Sequence, residues 1–320
     1  MDHHVIARKL NLRDRARSGD GADALGRIRV TLVQGDPFRR IGPSARQGWW
    51  QVEALHDGIL WQGELNAAPD YVQPLGASPV WSPVPTAPRV TEASLGRLPA
   101  ATRTAVGNWA FSLGEPGAPG RAAAHVGGPA AGIRAILDWL DVGNPSHGRW
   151  WPSAGKTYCN VYVHDVCDLA GCYMPRVWWT NEAYHALRSG QTVAAVYGKT
   201  VIEYRANDLF LWLAQHGPAY GWVRVQSVDA LQSAANAGQI AVIAAQHENR
   251  ARSGHIQIVA PEAPGLGQVA RRRNGIVTQP LQSNAGTRNF RYGQLRDSWW
   301  LAITTLRDFS FWVNNCSSAR

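Results

Sequence analysis

The chain has 320 residues, is 45% apolar and contains fifteen tryptophans, enough for a sizeable core and longer than a typical single domain, which excludes global disorder and points to two domains. A formal charge of +9 is spread over scattered arginines, with Arg271-Arg272-Arg273 as the one block; it suits either a polyanionic surface or plain solvation. No apolar run reaches spanning length and the start, Met1-Asp2-His3-His4 followed by Arg8, Lys9 and Arg13, has no apolar signal core, so a cytoplasmic origin without signal peptide or transmembrane segment is expected.

From Val5 to about Leu75 the signals are strands: Leu10-Asn11-Leu12-Arg13, Ile28 to Leu32, Trp49 to Ala54 and Ile59 to Gly63, short alternating runs with turns between them. They predict a small all-β barrel. Asp57-Gly58 is the strongest hairpin signal, because Gly tolerates the positive φ of tight turns. The ordered set of Leu10 to Arg13, a Gly35 to Pro37 turn, Gly48-Trp49-Trp50-Gln51-Val52, Asp57-Gly58 and Tyr71-Val72 resembles bacterial SH3-type domains, which implies attachment to cell wall. The chain departs from that pattern where Ile59-Leu60-Trp61-Gln62-Gly63 replaces the usual Gly-Trp-Val. Trp49 and Trp61 are the candidate ligand-groove residues, with core packing the competing role for at least one of Trp49 and Trp50, since adjacent strand residues face opposite sides. Pro79, Pro83, Pro85 and Pro88 mark a semi-rigid linker, giving a division into 1–77, a proline-rich linker 78–90, and 91–320.

In the remainder, Thr91 to Trp109 reads as a helix, Gly114 to Gly128 as a loop, and Ile133 to Leu140 as a second short helix ended by Gly143-Asn144-Pro145. Gly155 and Thr157 supply a turn and a cap, after which Cys159, Val163, Val166 and Ala170 recur at helical spacing, although Val161-Tyr162-Val163 also fits a strand. A cysteine in a first helical turn meets unpaired N–H groups and the positive end of the dipole, which favour thiolate. Helices are expected near Asn207 to Gln215 and Ser227 to Asn236, then strands at Gln239 to Ala245, Gly254 to Ala260 and Gly275 to Gln279. Helices first and antiparallel strands second define an α+β class. His164 lies about 140° round the helix from Cys159 and is not expected to face the thiol. His125, His147, His185, His216 and His247 read as exposed. The four cysteines, Cys159, Cys167, Cys172 and Cys316, lack the spacing of a zinc site or disulfide scaffold; Cys167 and Cys172 would bridge in an oxidising compartment, with buried free thiols the favoured state.

The base for Cys159 is sought at His255, on a strand start after Gly254. Thr157-Tyr158-Cys159-Asn160 with Asp165, Asn236 to Gly238 and Gly254-His255, in that order, resemble papain-like cysteine amidases and peptidases of the CHAP and NlpC type over about residues 92 to 300. The resemblance implies a papain-like hydrolase domain and hydrolysis of peptidoglycan amide bonds through a thioester by Cys159 and His255, with a third polar residue orienting the imidazole. Gln282 is placed ahead of Asn284 and Gln279 for that role, in which a neutral amide would leave a thiolate–imidazolium pair to sustain itself. Asn160, Trp178 and Trp179 are the candidate substrate contacts near the cysteine. No metal or cofactor is implied. The partner implied is bacterial peptidoglycan, without specific nucleic-acid binding, and the setting is an endolysin or an exported toxin with its immunity protein, acting at the wall or periplasm after lysis or contact-dependent export. A non-catalytic wall-binding protein and a transacylase on the same fold are the rival readings.

Overall fold

The computed structural model describes residues 3–5, 9–13, 28–44, 47–56, 59–68, 71–74, 88–121, 127–153, 155–249, 251–295, 299–302 and 305–316. The chain divides into two compact units, Met1–Val84 with Arg272–Thr278, and Pro85–Arg271 with Gln279–Arg320. The expected linker 78–90 lies outside the described residues except for 88–90.

The first unit is built from β1 (His3–Val5), β2 (Lys9–Arg13), β3 (Ile28–Val33), β4 (Pro37–Pro43), β5 (Trp49–His56), β6 (Ile59–Asn66) and β7 (Val72–Pro74). They form one sheet in the order β3-β2-β6-β5-β4-β1-β7. The expected hairpin is present, β5 pairing β6 from Trp49↔Asn66 to His56↔Ile59, while its Asp57-Gly58 turn lies outside the described residues. The expected barrel is not: β3 and β7 end the sheet and, among the described residues, no ladder joins them. Val5, Leu12, Leu32, Phe38, Val52, Ala54 and Leu65 are nonetheless wholly buried. They form the unit's core, with the partly buried Val30, Trp50, Trp61 and Ala67 packed against it. The opposite face of β4, β5 and β6 carries polar partners: Arg39 and Gln62 both donate to Glu53, and Ser44 and Gln51 to Glu64.

The second unit opens without the helix expected at 91–109. Gly96 and Gly107 at φ 75° and 108°, and Asn108 at 53°, are left-handed, and Pro99 lacks an amide donor, so no helical ladder can run through them. The segment makes turns and β8 (Arg97–Leu98), which pairs in parallel with β9 (Ser112–Leu113). Next come α1 (Gly128–Leu140), α2 (Cys159–Leu169), β10 (Val177–Trp179), α3 (Asn181–Arg188), β11 (Val201–Glu203), α4 (Ala206–Gln215), β12 (Val223–Val225) and α5 (Val228–Asn236). The last is capped by Ser227, whose hydroxyl accepts from the Ala230 amide. Then follow β13 (Ile240–His247), β14 (His255–Val259), β15 (Arg271–Arg273) and β16 (Ile276–Gln279), whose residues Arg272–Thr278 group with the first unit, and β17 (Gln282–Asn284), β18 (Phe290–Gly293), α6 (Trp299–Ala302) and β19 (Leu306–Asn314). The molecule is mixed α+β.

The main sheet has the order β12-β19-β13-β14-β17-β18. The strand expected at Gly275 to Gln279 does not join it. With Asn274 and Gly275 both at positive φ, β15 and β16 close on each other as a separate ribbon, and β17 takes the place beside β14. Strand alternation sends Val242, Ala244, Ile256 and Ile258 into the core shared with α2 and α4, and Ala241, Ile243, Ala245 and Val259 into one shared with α5, Trp299 and Trp300. The sheet is thus covered on both faces.

Helix α2 is the element most enclosed. Val161, Tyr162, Val163, Val166 and Cys167 are buried together with its polar residues His164 and Asp165, and a helix buried all round must pair every polar group it carries. Ser112 Oγ donates to His164 Nε2 (2.9 Å), while His164 Nδ1 donates to the Met174 carbonyl (2.6 Å), so His164 is occupied away from the thiol. Asp165 accepts from Arg149 Nε (2.7 Å), Arg149 Nη2 (3.0 Å) and Trp150 Nε1 (2.8 Å). His247 is also buried, contrary to expectation, and its Nδ1 accepts the Asn249 amide.

The cysteines differ from expectation as well. Cys172 and Cys316 form a disulfide across 144 residues of sequence, leaving Cys159 and Cys167 as buried free thiols; a bridge from Cys167 to Cys172 is not formed. Because Arg149 and Asp165 have side chains wholly removed from solvent, Arg149→Met is expected to destabilise the protein by about 3–5 kcal/mol in chemical denaturation, as an uncompensated buried carboxylate would. Arg149→Met combined with Asp165→Leu should recover much of that loss.

Candidate active site

The site begins where α2 begins. Tyr158, not Thr157, is the N-cap, and it makes no side-chain capping bond; its ring stacks on Trp109 at 4.7 Å and its hydroxyl meets Ser153 Oγ at 3.1 Å. Asn160 Nδ2 donates to the Tyr204 carbonyl (2.8 Å). These contacts fix the first turn from both sides. The backbone N–H groups of Ile256 on β14, of Asn160 and of Cys159 itself favour the charged form of the Cys159 thiol. Cys159 is 2% exposed. Burial pushes its pKa up, against the opposing pull of the three amides and the Arg176 charge.

The amide that acts on the thiol from β14 belongs to Ile256, directly after His255, so the start of that strand lies beside the first turn of α2. His255 Nε2 bonds Asn284 Oδ1 at 2.9 Å, and Asn284 Nδ2 donates to the Arg288 carbonyl at 2.7 Å. The amide's orientation follows from that second bond: its oxygen faces the ring, so Nε2 carries the proton and Nδ1 keeps its lone pair. Trp299 meets the imidazole at 4.7 Å and 77° between planes. Burial lowers the His255 pKa from 6.5 to about 4, with the Asn284 bond acting in the other direction. Desolvation therefore favours the uncharged form of both groups and works against the thiolate–imidazolium pair expected from sequence. Gly254 does provide for close approach, but of backbone: a Cβ there would collide with the Ala245 carbonyl and Asn207 Oδ1.

The amide that bonds the His255 ring is Asn284, not Gln282. Gln282 accepts from Gln257 Nε2 (2.9 Å) and from the Leu295 amide (3.2 Å), and Gln279 donates to the Leu295 carbonyl (3.3 Å). Register decides the matter. Val259 lies opposite Gln282 and Ile258 opposite Ser283, so the next residue of β17 on the Gln282 face, Asn284, stands two positions nearer to His255.

The expected substrate contacts are not assembled here. Trp178 is buried among Tyr173, Trp212, His216 and Tyr220, and Trp179 donates its indole N–H to the Thr91 carbonyl; both belong to the core. The Asn160 side chain is occupied by Tyr204. In the first unit Trp61 lies opposite Ala54 and Trp49 opposite Asn66, so Trp61 shares the face of Trp50, Val52 and Ala54 while Trp49 is on the other. The two cannot line one groove. Trp299 and Trp109 carry no local sequence signal; the alternation of Gln282 and Asn284 on one face is visible in the sequence, but the register of β17 on β14 is not. Among the described residues no group of three or more His, Cys, Asp or Glu is placed to hold a metal, and no described helix is long and apolar enough to cross a membrane.

Comparisons of the chain with protein-family models, with curated proteins and with solved structures find no match.

Between pH about 4 and 6.5 the unfolded chain takes up a proton at His255 that the folded chain refuses, so stability falls as pH falls through that window. Wild type should lose unfolding free energy there more steeply than His255→Gln, and the imidazole should titrate near 4 by NMR; a midpoint near 6.5 would show that the ring is hydrated.

Proposed function

We propose that the second unit is a cysteine amidase or endopeptidase of the papain-like, CHAP and NlpC type that cleaves amide bonds of peptidoglycan, and that the first unit is an SH3-type wall-binding module. The observation that carries the enzymatic reading is the ordered set of a thiol at a helix N-terminus, an imidazole at the start of the strand touching that thiol's turn, and an amide on the next strand fixing the ring's tautomer. The wall as substrate rests on the sequence resemblance of both units and on the charge of +9.

In this reading Cys159 Sγ attacks the scissile carbonyl while its proton passes to His255 Nδ1, because neither group is charged beforehand. The oxyanion forms at the positive end of α2, beside the Cys159 amide. His255 then returns the proton to the leaving amine, a thioester remains on Cys159, and His255 takes a proton from the water that hydrolyses it. Asn284 touches no substrate. It holds the ring with Nε2 protonated and Nδ1 available.

Mass spectrometry of muropeptides from purified sacculi tests this directly: wild type should release peptides with one new class of amine terminus, and Cys159→Ala none. A product joined to an added amine instead of water would identify a transacylase. His255→Ala should match Cys159→Ala. Asn284→Ala should lose about tens-fold to a few hundred-fold in kcat, as expected of an orienting residue, whereas Gln282→Ala should lower the melting temperature while leaving kcat within a few-fold. Full activity of Cys159→Ala would end the covalent reading.

A further inference from the structure

The disulfide joins the two structural supports of the site. Cys172 follows the end of α2, where Gly171 at φ 76° lets the Cys172 amide return to the Cys167 carbonyl (2.9 Å) and the Gly171 amide to that of Asp168 (3.1 Å), a Schellman-type stop. Cys172 is therefore fixed to the same helix that carries Cys159 at its other end. Cys316 follows β19, which pairs with β13 from Ile240↔Asn314 onward, and β13 pairs with β14 through Ala245↔His255. The Cα atoms are 4.8 Å apart. Around Cys316 the tail is anchored by Asn314, whose Oδ1 accepts the Cys316 amide (2.8 Å) and whose Nδ2 donates to the Tyr220 carbonyl (2.9 Å). Arg121 adds a bond to the Asn315 carbonyl (2.6 Å). One covalent bond thus ties the nucleophile's helix to the sheet of the base.

We propose that the Cys172–Cys316 disulfide is a redox latch that holds the Cys159 helix against the His255 sheet, so that the site is assembled only where disulfides persist. Regulation of turnover, as distinct from the latch itself, rests on the hydrolase reading above. The bond forms by thiol–disulfide exchange with a disulfide oxidant, of the small-molecule or protein class. The Cys172 thiolate attacks one oxidant sulfur and expels a thiol; the Cys316 thiolate then attacks the Cys172 sulfur of the mixed disulfide and expels the second. The two cysteine protons end on the two released thiols, so the cysteines lose two electrons and the oxidant gains them. In a reducing compartment the reverse exchange opens the latch, and the enzyme is kept from acting where it is made.

The full chain tests this. The oxidised protein should titrate two thiols and the phosphine-reduced protein four, since the chain has four cysteines. Reduction should lower the melting temperature by about 5–15 °C and, well below that temperature, slow muropeptide cleavage by on the order of ten- to a hundred-fold, the penalty for an ångström-scale misplacement. Cys316→Ser should match the reduced enzyme with or without reductant; if it does not fold, wild type reduced in place carries the comparison. Alkylation of Cys159, read by peptide mapping, should quicken about tenfold on reduction as its helix loosens. Melting at a lower temperature with unchanged cleavage and unchanged Cys159 alkylation would make the bond a stabiliser only and overturn the latch. If no form cleaves muropeptides the hydrolase reading falls, and the alkylation rates alone decide the latch.

Discussion

Burial of α2 is the constraint on which the rest of the second unit depends. A helix enclosed on every side can hold a thiol at its first residue only if its exposed amides find an acceptor there, and can hold His164 and Asp165 only if other elements bring partners to them. Much of the otherwise irregular chain between β8 and α2 serves that requirement. Ser112 reaches His164, while Arg149 and Trp150 converge on Asp165. Arg149 also holds the Phe111 carbonyl, so the buried ion pair ties the segment before α1 to the helix. Such a pair adds little net stability over an apolar pair of similar shape; what it does provide is one position for α2 along its axis, because the carboxylate is satisfied at one register.

The same burial sets the chemistry. Desolvation raises the thiol's pKa and lowers the imidazole's, and in the proposed reaction the thiolate would be made during attack instead of being stored. A stored thiolate would be the stronger reagent toward any electrophile, whereas a neutral thiol depends on a carbonyl that positions itself for both groups of the proposed pair. Asn284 matters more in this arrangement than in a charged one. With no imidazolium to be attracted to sulfur, the ring's orientation depends on the hydrogen bond to Nε2 and on the contact with Trp299.

Most of the regular elements were legible because their signals are local. The caps at Ser227, the apolar runs of β13 and β14, and the helical spacing after Cys159 all lie within a dozen residues of what they specify. Cys159 and His255 were legible as candidates for the same reason. What could not be read is fixed by register or by long-range closure. Choosing between Gln282 and Asn284 needs the pairing of β17 with β14, and two residues on one face of a strand look alike from sequence. The tryptophans misled for a related reason: composition marks Trp178 and Trp179 as sticky, but the rings of Tyr173, Trp212 and Tyr220 that consume Trp178 are brought from three other segments. At 91–109 helical propensity gave way to Gly96, Pro99 and Gly107, breakers that a window average dilutes.

Long-range closure also explains why the C-terminal strand has a larger role than its position suggests. β19 is the last element of the main sheet to be made, yet it lies between β12 and β13 in the interior of that sheet. Until it inserts, one side of β13 has no ladder partner, and the apolar faces of Phe309, Phe311, Trp312 and Val313 that complete both cores are missing. The strand beside the one that bears His255 is therefore completed by β19, which follows α6 and its Trp299, the residue that meets the imidazole. A site split in this way, with its thiol early in the unit and the support for its base at the end, is organised only when the whole unit has closed, and the disulfide from Cys172 to Cys316 spans that same interval.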